Sequence, residues 1–476
     1  MSKIEKAIFA NRSLNLKNIK YVGFDMDLTL VQYNIYNFEA LVHKMVLKKL
    51  IANFNYPSSI QKIPFHFSKS IRGLVIDKKK GNLLKLSKYE KIKTAHHGLT
   101  VIPHEVQKKI YKQTYIHLSH SRYDCIDSAF SIAFASLYSQ LVDKKNTGRL
   151  KDKLPSYEQM AQDLAFSLDQ AHTDGTLKNY LKSRLTQFII RDKNIAQGLE
   201  NFVLHKKKLL LITNSDYAYT DTLLKYSINP FLKNHKKWQD LFEYSITSSK
   251  KPHFFYTKTP FLKIDPVTKK THKHNKTLVP GIYEGGSSHW LTKALKTDPD
   301  KILYIGDHIY GDVVRLKKDC SWRTGLVVSE LKKEIEANNK SLHVDLKTKD
   351  TMAIKVLLEE KLNVLISNKI QKQNNKAKLT KAYLTKYTKE KSILKNKLSE
   401  VDDSLLALRK IKDSFYNPYW GPVMRAGTTP SFFASQVERF ACVYMSTIVD
   451  FLNLCPRSHL RSEKKELAHE WLSKYF

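Results

Sequence analysis

Tyr21-Val22-Gly23-Phe24-Asp25-Met26-Asp27-Leu28-Thr29 sets an apolar run directly against two acids separated by one residue. Apolar residues that end abruptly in charge read as a buried parallel strand whose carboxyl end carries polar groups. The pattern returns twice: Leu209–Ile212 stops at Thr213, and Ile302–Ile305 stops at Gly306-Asp307. Tyr244–Thr247 and Leu326–Val328 are two further strand candidates. In open α/β sheets ligands bind outside the carboxyl ends of the strands. The expectation is therefore an α/β fold, a Rossmann-like parallel sheet with its polar residues gathered on one edge.

The first two strands are separated by more than 180 residues, far beyond an ordinary crossover of about a dozen, so an inserted unit must lie between them. Phe38–Asn53, Asp124–Val142 and Tyr157–His172 place apolar residues at helical spacing, which predicts a mostly helical cap. The resulting organisation is a core from 1–32 and 195–345, a cap from 33–194 and a helical C-terminal extension from 346–476 that packs on the core. Within the extension, Thr351–Phe415 has neither Gly nor Pro and predicts a long lysine-rich helical hairpin. Its exposed turn is expected at Gln371–Lys378, and a final amphipathic helix at Ser435–Leu454.

With 476 residues, 42% of them hydrophobic, the chain can bury a sizeable core. Four scattered cysteines without a CxxC pair exclude a disulfide framework and a structural zinc site, and fit a reducing, cytoplasmic setting. No signal peptide is visible at Met1–Asn18, and no apolar run reaches the roughly 18 residues of a membrane span. The net charge of +36 invites a nucleic-acid partner, yet only 13 of 81 basic residues are arginine and the lysines are spread along the chain. The reading is no nucleic acid and no membrane, with steering of anionic ligands as a by-product.

Two carboxylates one residue apart at a strand end can divide the work of nucleophile and proton carrier. Thr213-Asn214-Ser215-Asp216 offers a hydroxyl before a helix whose free N–H groups favour an anion, and reads equally as an ordinary helix cap. Lys250-Lys251-Pro252 offers a cation after the strand candidate Tyr244–Thr247, although among so many lysines a lone one is usually solvated. Asp307 and Asp312 supply two more acids, in a loop too short and too poor in oxygens for a calcium site. In this order the residues supply a nucleophile, a phosphate grip, a charge neutraliser and magnesium ligands.

These four motifs resemble those of the haloacid dehalogenase superfamily of phosphotransferases. Finer features resemble its cytosolic purine 5′-nucleotidase branch, the IMP/GMP-preferring type: Phe24–Leu30, Ile212–Asp221, Ser248–Phe255, Tyr283–Trp290, Ile302–Val313, Trp322–Leu331, Phe415–Pro422 and Ser431–Tyr444. The resemblance implies Mg²⁺-dependent hydrolysis of purine nucleoside 5′-monophosphates, with nucleoside phosphotransfer as a second outcome. Asp25 would be the nucleophile and Asp27 the acid and base. Asp25, the Asp27 carbonyl and Asp307 would hold Mg²⁺, supported by Asp312, and Thr213, Asn214 and Lys251 would bind the phosphoryl oxygens. Purine recognition would fall to Phe130, Asp169, His172 and Lys178, although Ala165 and Ser131 stand where that branch carries arginine and asparagine. A nucleotide effector would bind Tyr310, Lys318, Gln436, Arg439 and Phe440, and the assembly would be a homo-oligomer, a tetramer. The rival readings are a phosphatase of another small phosphate ester and a basic nucleic-acid-binding protein on an inactive scaffold.

Overall fold

The structure is a computed structural model that describes residues 8–465, 467 and 470, apart from 113–114, 149, 151–152, 267, 269, 274–277 and 376–378. Among the described residues, ten strands form the main sheet. They are β1 (Ile8–Ala10), β2 (Tyr21–Phe24), β3 (Lys208–Ile212), β4 (Phe242–Thr247), β5 (Phe261–Ile264), β6 (Thr271–Lys273), β7 (Gly281–Gly285), β8 (Ile302–Gly306), β9 (Arg323–Val327) and β10 (Val443–Met445). Their spatial order is β1-β10-β9-β8-β2-β3-β4-β7-β5-β6. The seven strands from β10 to β7 run parallel, and the outer ones pair antiparallel. All five strands expected from the sequence lie in this sheet.

All four residues of β2 are buried, and sinking side chains such as Val22 and Phe24 contributes about 1.5–3 kcal/mol each. Gly23 is required there, because a Cβ would stand 2.8 Å from the Tyr304 ring on the neighbouring strand. Phe24 pairs with Leu211 on one side and Ile305 on the other. The register thus brings Asp25, Thr213 and Asp307 out at one level of the sheet edge. The chain runs outward through β3 and β4 on one side of β2, then crosses to β8 and β9 on the other. The sheet edge above β2 is therefore a switch point.

The insert holds the expected helices at Ile35–Phe54, Ile132–Asn146 and Tyr157–Thr173. It also holds an unforeseen five-stranded antiparallel sheet built from Leu74–Asp77, Asn82–Leu86, Ile92–His97, Thr100–Val101 and Tyr123–Cys125. Asp124-Cys125, expected to start a helix, belongs to that sheet. The first two of its strands are buried at every position, so they lack the alternation that marks a strand with one wet face. A second departure lies at Ser435–Leu454, where the single helix gives way to Phe432–Phe440, strand β10 and Ile448–Leu452. Val443-Tyr444-Met445 fits a pleated surface between β9 and β1, and its apolar spacing alone does not separate strand from helix.

The chain divides into two compact units, Met1–Leu331 with Val423–Phe476, and Lys332–Pro422. Strand β10, from the C-terminal part of the chain, lies in the main sheet beside β9. Inside the second unit, helices Leu331–Asn374 and Lys381–Asp413 run antiparallel. Lys412 pairs with Asp345, Lys355 with Asp402 at 2.7 Å, Lys369 lies over the Tyr387 ring and Lys372 over the Tyr383 ring. Part of the expected turn, 376–378, lies outside the described residues. No described helix is long and apolar enough to cross a membrane.

Candidate active site

Asp25 follows β2, and its backbone N–H donates to Ile305 O at 2.9 Å, which fixes the chain as it leaves the sheet. A turn closed by Val31 N–H to Met26 O at 2.8 Å, with Leu28 at φ 56°, then points Asp25 and Asp27 in different directions. Lys251 reaches the same place from a turn in which Ser248 and Lys250 take the left-handed conformation that side chains seldom adopt. That turn is pinned by Ser248 N–H to Ser215 O and Ser249 N–H to Thr213 O.

Lys251 Nζ sits 2.9 Å from Asp25 Oδ1, 2.7 Å from Asp312 Oδ1 and 2.9 Å from the Tyr304 hydroxyl. The carboxylates of Asp25, Asp307 and Asp312 converge, with one oxygen from each lying within 4.8 Å of the others. Burial pushes the Asp25 carboxyl up to about 7 despite Lys251, with Asp312 and Asp27 adding to the rise. Asp307 is likewise held well above the usual carboxylate range by burial, against the pull of Arg72. Burial alone would depress the Lys251 ammonium, but Asp25 and Asp312 outweigh it and hold its pKa well above the ordinary value. One ammonium cannot balance three carboxylates, so the buried acids resist ionising together. Such a set of hard oxygen donors fits a divalent cation such as Mg²⁺.

Asp25 Oδ1 accepts from both Lys251 and the Met26 N–H, at 2.9 and 2.8 Å, so Oδ2 is the oxygen the site presents. Asp27 faces elsewhere: Tyr33 donates to its Oδ1 at 2.5 Å and Ser215 to its Oδ2 at 2.8 Å. Burial raises the Asp27 carboxyl, and these two donors oppose the rise. Thr213 is fully buried, and its hydroxyl oxygen accepts from Ser215 N–H.

Two of the expected residues are placed differently from their predicted roles. The Asn214 amide is engaged in holding the Lys251 turn: its Oδ1 accepts from Lys251 N and Ser249 Oγ, and its Nδ2 donates to Lys251 O. Asp312, expected behind the metal ligands, is itself a member of the carboxylate cluster. A Cβ on Gly306 would stand 2.3 Å from Asp312 Oδ2, so the glycine makes room for that carboxylate.

Tyr33, Tyr304 and Arg72 carry no local signal of a role at this site. Arg72, 1% exposed, comes from the insert, donates to the Asp307 carbonyl at 2.9 Å and pairs with Glu330. Tyr304 looked like one more apolar strand residue, yet its hydroxyl donates to Ile212 O at 2.8 Å while contacting Lys251. Ser215 was legible in the Thr213–Asp216 segment, though not as a partner of Asp27.

In the insert, Phe130 packs on Phe38 at 4.8 Å between ring centroids and edge-on to Tyr33 at 5.7 Å. His172 stands 6.4 Å from Phe130 with 63° between the ring planes. Asp169 is exposed, and Lys178 pairs with Asp216 at 2.6 Å. Phe130 and His172 thus gather in one ring cluster, Asp169 and Lys178 both act electrostatically on His172, and Lys178 lies 5.4 Å over the Tyr219 ring. Elsewhere, Lys318 and Arg439 lie over the Phe440 ring at 5.5 and 5.2 Å, with half-buried Gln436 on the same helix as Arg439 and exposed Tyr310 in the π-helical turn Ile309–Val314.

The sequence pattern of the 5′ nucleotidase family matches residues 8–472. Human 5′-nucleotidase domain-containing protein 2 is 26% identical over 98% of this chain and 85% of its own length. The rat protein of that name is 26% identical over 98% and 80%. A crystal structure described as a predicted phosphoglycolate phosphatase from Haemophilus somnus is 12% identical, covers 65% of this chain and 86% of its own, and has a TM-score of 0.29. An overlap that low leaves the fold to rest on the strand order above. With a family match spanning nearly every residue and a cluster of three acids and one lysine on the switch-point edge, the chain belongs to the 5′ nucleotidase family, enzymes that hydrolyse the phosphate ester of nucleotides.

Proposed function

We propose that the chain hydrolyses purine nucleoside 5′-monophosphates in two steps through an aspartyl-phosphate, with Mg²⁺ as cofactor. The observation that carries this reading is the convergence of Asp25, Asp307 and Asp312 around Lys251, with Asp27 held apart by its own donors. Asp25 Oδ2 attacks phosphorus, the bond to the nucleoside 5′-oxygen breaks, and Asp27 delivers a proton to that oxygen. Asp27 then takes a proton from water as the water oxygen attacks phosphorus, releasing phosphate and restoring Asp25. Lys251 and Thr213 contact the phosphoryl oxygens, whose charge must be balanced before a dianion meets a carboxylate. Asp25, Asp307 and Asp312, with the Asp27 carbonyl, would hold Mg²⁺, which when bound supplies charge neutralisation and substrate alignment.

Asn214 acts here by positioning Lys251. The base lies toward Phe130 and His172, because Tyr33 links Asp27 to their ring cluster. Asp169 and Lys178 stand at the outer side of that region. A nucleotide effector at Lys318, Arg439 and Phe440 belongs to the same proposal, and ATP or GTP should change KM or kcat if it binds there.

A second reading, a phosphatase of another small phosphate ester, draws on one observation. The Phe130 and His172 rings pack against each other instead of facing across a base-wide gap. A panel of IMP, GMP, AMP, CMP and sugar phosphates, with Mg²⁺ and with chelator, decides between them. Asp25→Asn must abolish hydrolysis while the thermal unfolding curve is retained. Unchanged turnover in that variant removes Asp25 from the mechanism.

A further inference from the structure

The helical hairpin segregates its charge. Of residues 361–397, eleven are lysine, none is arginine and one, Glu390, is acidic, whereas 332–360 with 398–422 carry nine basic and ten acidic residues. The balanced half is stitched across the two helices by Lys355–Asp402 and Lys412–Asp345. In the basic half the cross-helix contacts are Lys369 over Tyr387 and Lys372 over Tyr383, so these rings are already covered by cations. Crowding so many ammonium groups on one rod disfavours the free state by self-repulsion. An anionic partner would remove that repulsion.

The surface there is an open groove of about 610 Å³ along one stripe of the second helix, lined by Lys381, Leu384, Thr385, Thr388, Lys389 and Ile393, among others. Leu384 and Ile393 are exposed at 37% and 44%. The spacing of three and four residues repeats the pattern by which one helix receives another. Thr385 and Thr388, both exposed, lie along the stripe between the aliphatics, which supply apolar contact, and Lys381 and Lys389.

We propose that this groove docks an acidic amphipathic helix of a different protein. The lack of arginine and the lysine-capped tyrosines speak against nucleic acid, which would use bidentate guanidinium contacts and free rings for stacking. Lysines on every side of the rod do not suit a flat anionic bilayer, which calls for one basic face. The same lysine-rich rod of a second copy would meet like charge at the groove.

The test uses the full-length protein and a labelled three-heptad peptide with Leu at positions a and d and Glu at e and g. A matched peptide with Lys at e and g, anionic phosphatidylglycerol vesicles and a 20-nucleotide RNA are the competitors. The Glu peptide should bind saturably, weaken at least tenfold between 50 and 300 mM salt, and lose at least tenfold affinity with Leu384→Glu/Ile393→Glu, while nucleotide hydrolysis stays unchanged. Four results overturn the proposal: no binding of the Glu peptide, equal binding of the Lys peptide, tighter binding of vesicles or RNA, or concentration-dependent self-association through the groove.

Discussion

Replacing Gly306 by alanine adds one methyl group at the end of a buried strand and tests the geometry of the whole cluster. The new Cβ would lie 2.3 Å from Asp312 Oδ2 and 2.5 Å from its Cγ. Ordinary contact needs about 3.4 Å or more, so the carboxylate must retreat by roughly 1 Å. Asp312 Oδ1 is 2.7 Å from Lys251 Nζ and Oδ2 accepts from His308 N–H at 3.1 Å, so that movement breaks at least one charge-assisted contact. Losing one costs about 1.5–3 kcal/mol, and overpacking adds about 1–3. The expected loss of stability is about 2.5–6 kcal/mol by urea unfolding in metal-free buffer. A 1 Å misplacement costs on the order of a hundredfold in rate, so kcat/KM should fall at least that far and the Mg²⁺ concentration for half-activation should rise. Gly325→Ala is the control: its Cβ would meet Ile305 Cγ1 at 2.9 Å on the adjacent strand, a packing insult away from the carboxylates. It should lose stability and keep its metal dependence. If Gly306→Ala keeps wild-type turnover and metal requirement, Asp312 does not sit where the chemistry needs it.

Three further outcomes follow from neighbouring contacts. Tyr33→Phe removes one of the two donors on Asp27, so stopped-assay kinetics should show kcat down about tenfold to a hundredfold with KM within about twofold, as for one hydrogen bond to a charged group. Arg72→Met leaves Glu330 unpaired and strips a donor from the Asp307 carbonyl, so unfolding should cost about 3–5 kcal/mol, as for a broken buried pair; a loss under about 1 kcal/mol counts against it. Glu39 is fully buried, with its Oε2 accepting from Ala133 N–H and its Oε1 without a partner, and burial raises its carboxyl from 4.5 to about 8. Its contribution to stability is complete below pH 4.5, where both folded and unfolded states are protonated, and drains away as pH rises toward 8 because only the unfolded state ionises. The swing is at most about 5 kcal/mol, and Glu39→Gln should flatten the stability–pH curve across that window.

What could be read from the sequence follows a physical division. β2, β3 and β8 are buried on both faces, so each appears as an unbroken apolar run, and the first polar residue after each run marks the sheet edge. Asp25, Thr213 and Asp307 were visible for that reason alone. Lys251 was one lysine among many, and only the resemblance singled it out. Its value comes from a turn anchored on Thr213 and Ser215, a contact no local pattern encodes. Tyr33, Tyr304 and Arg72 were hidden because an apolar ring or a lone arginine says nothing about where its polar end is aimed.

The same division accounts for the insert. Its sheet was missed because Leu74–Asp77 and Asn82–Leu86 bury every residue, and a short, wholly buried strand has no period to detect. Yet the element that could not be read places Arg72 just before its first strand and Ser128 just after its last, and both reach Asp307: Arg72 through the carbonyl, Ser128 toward Oδ2 at 3.5 Å. The carboxylate cluster is thus completed from outside the parallel sheet. Any movement of the insert that carries Arg72 away must weaken the hold on Asp307. Substrate binding between the insert and the sheet edge would therefore be coupled to the order of the acids beneath it. The Arg72→Met variant tests that coupling directly, because it should raise the Mg²⁺ requirement as well as lower stability, whereas a purely structural arginine would change stability alone.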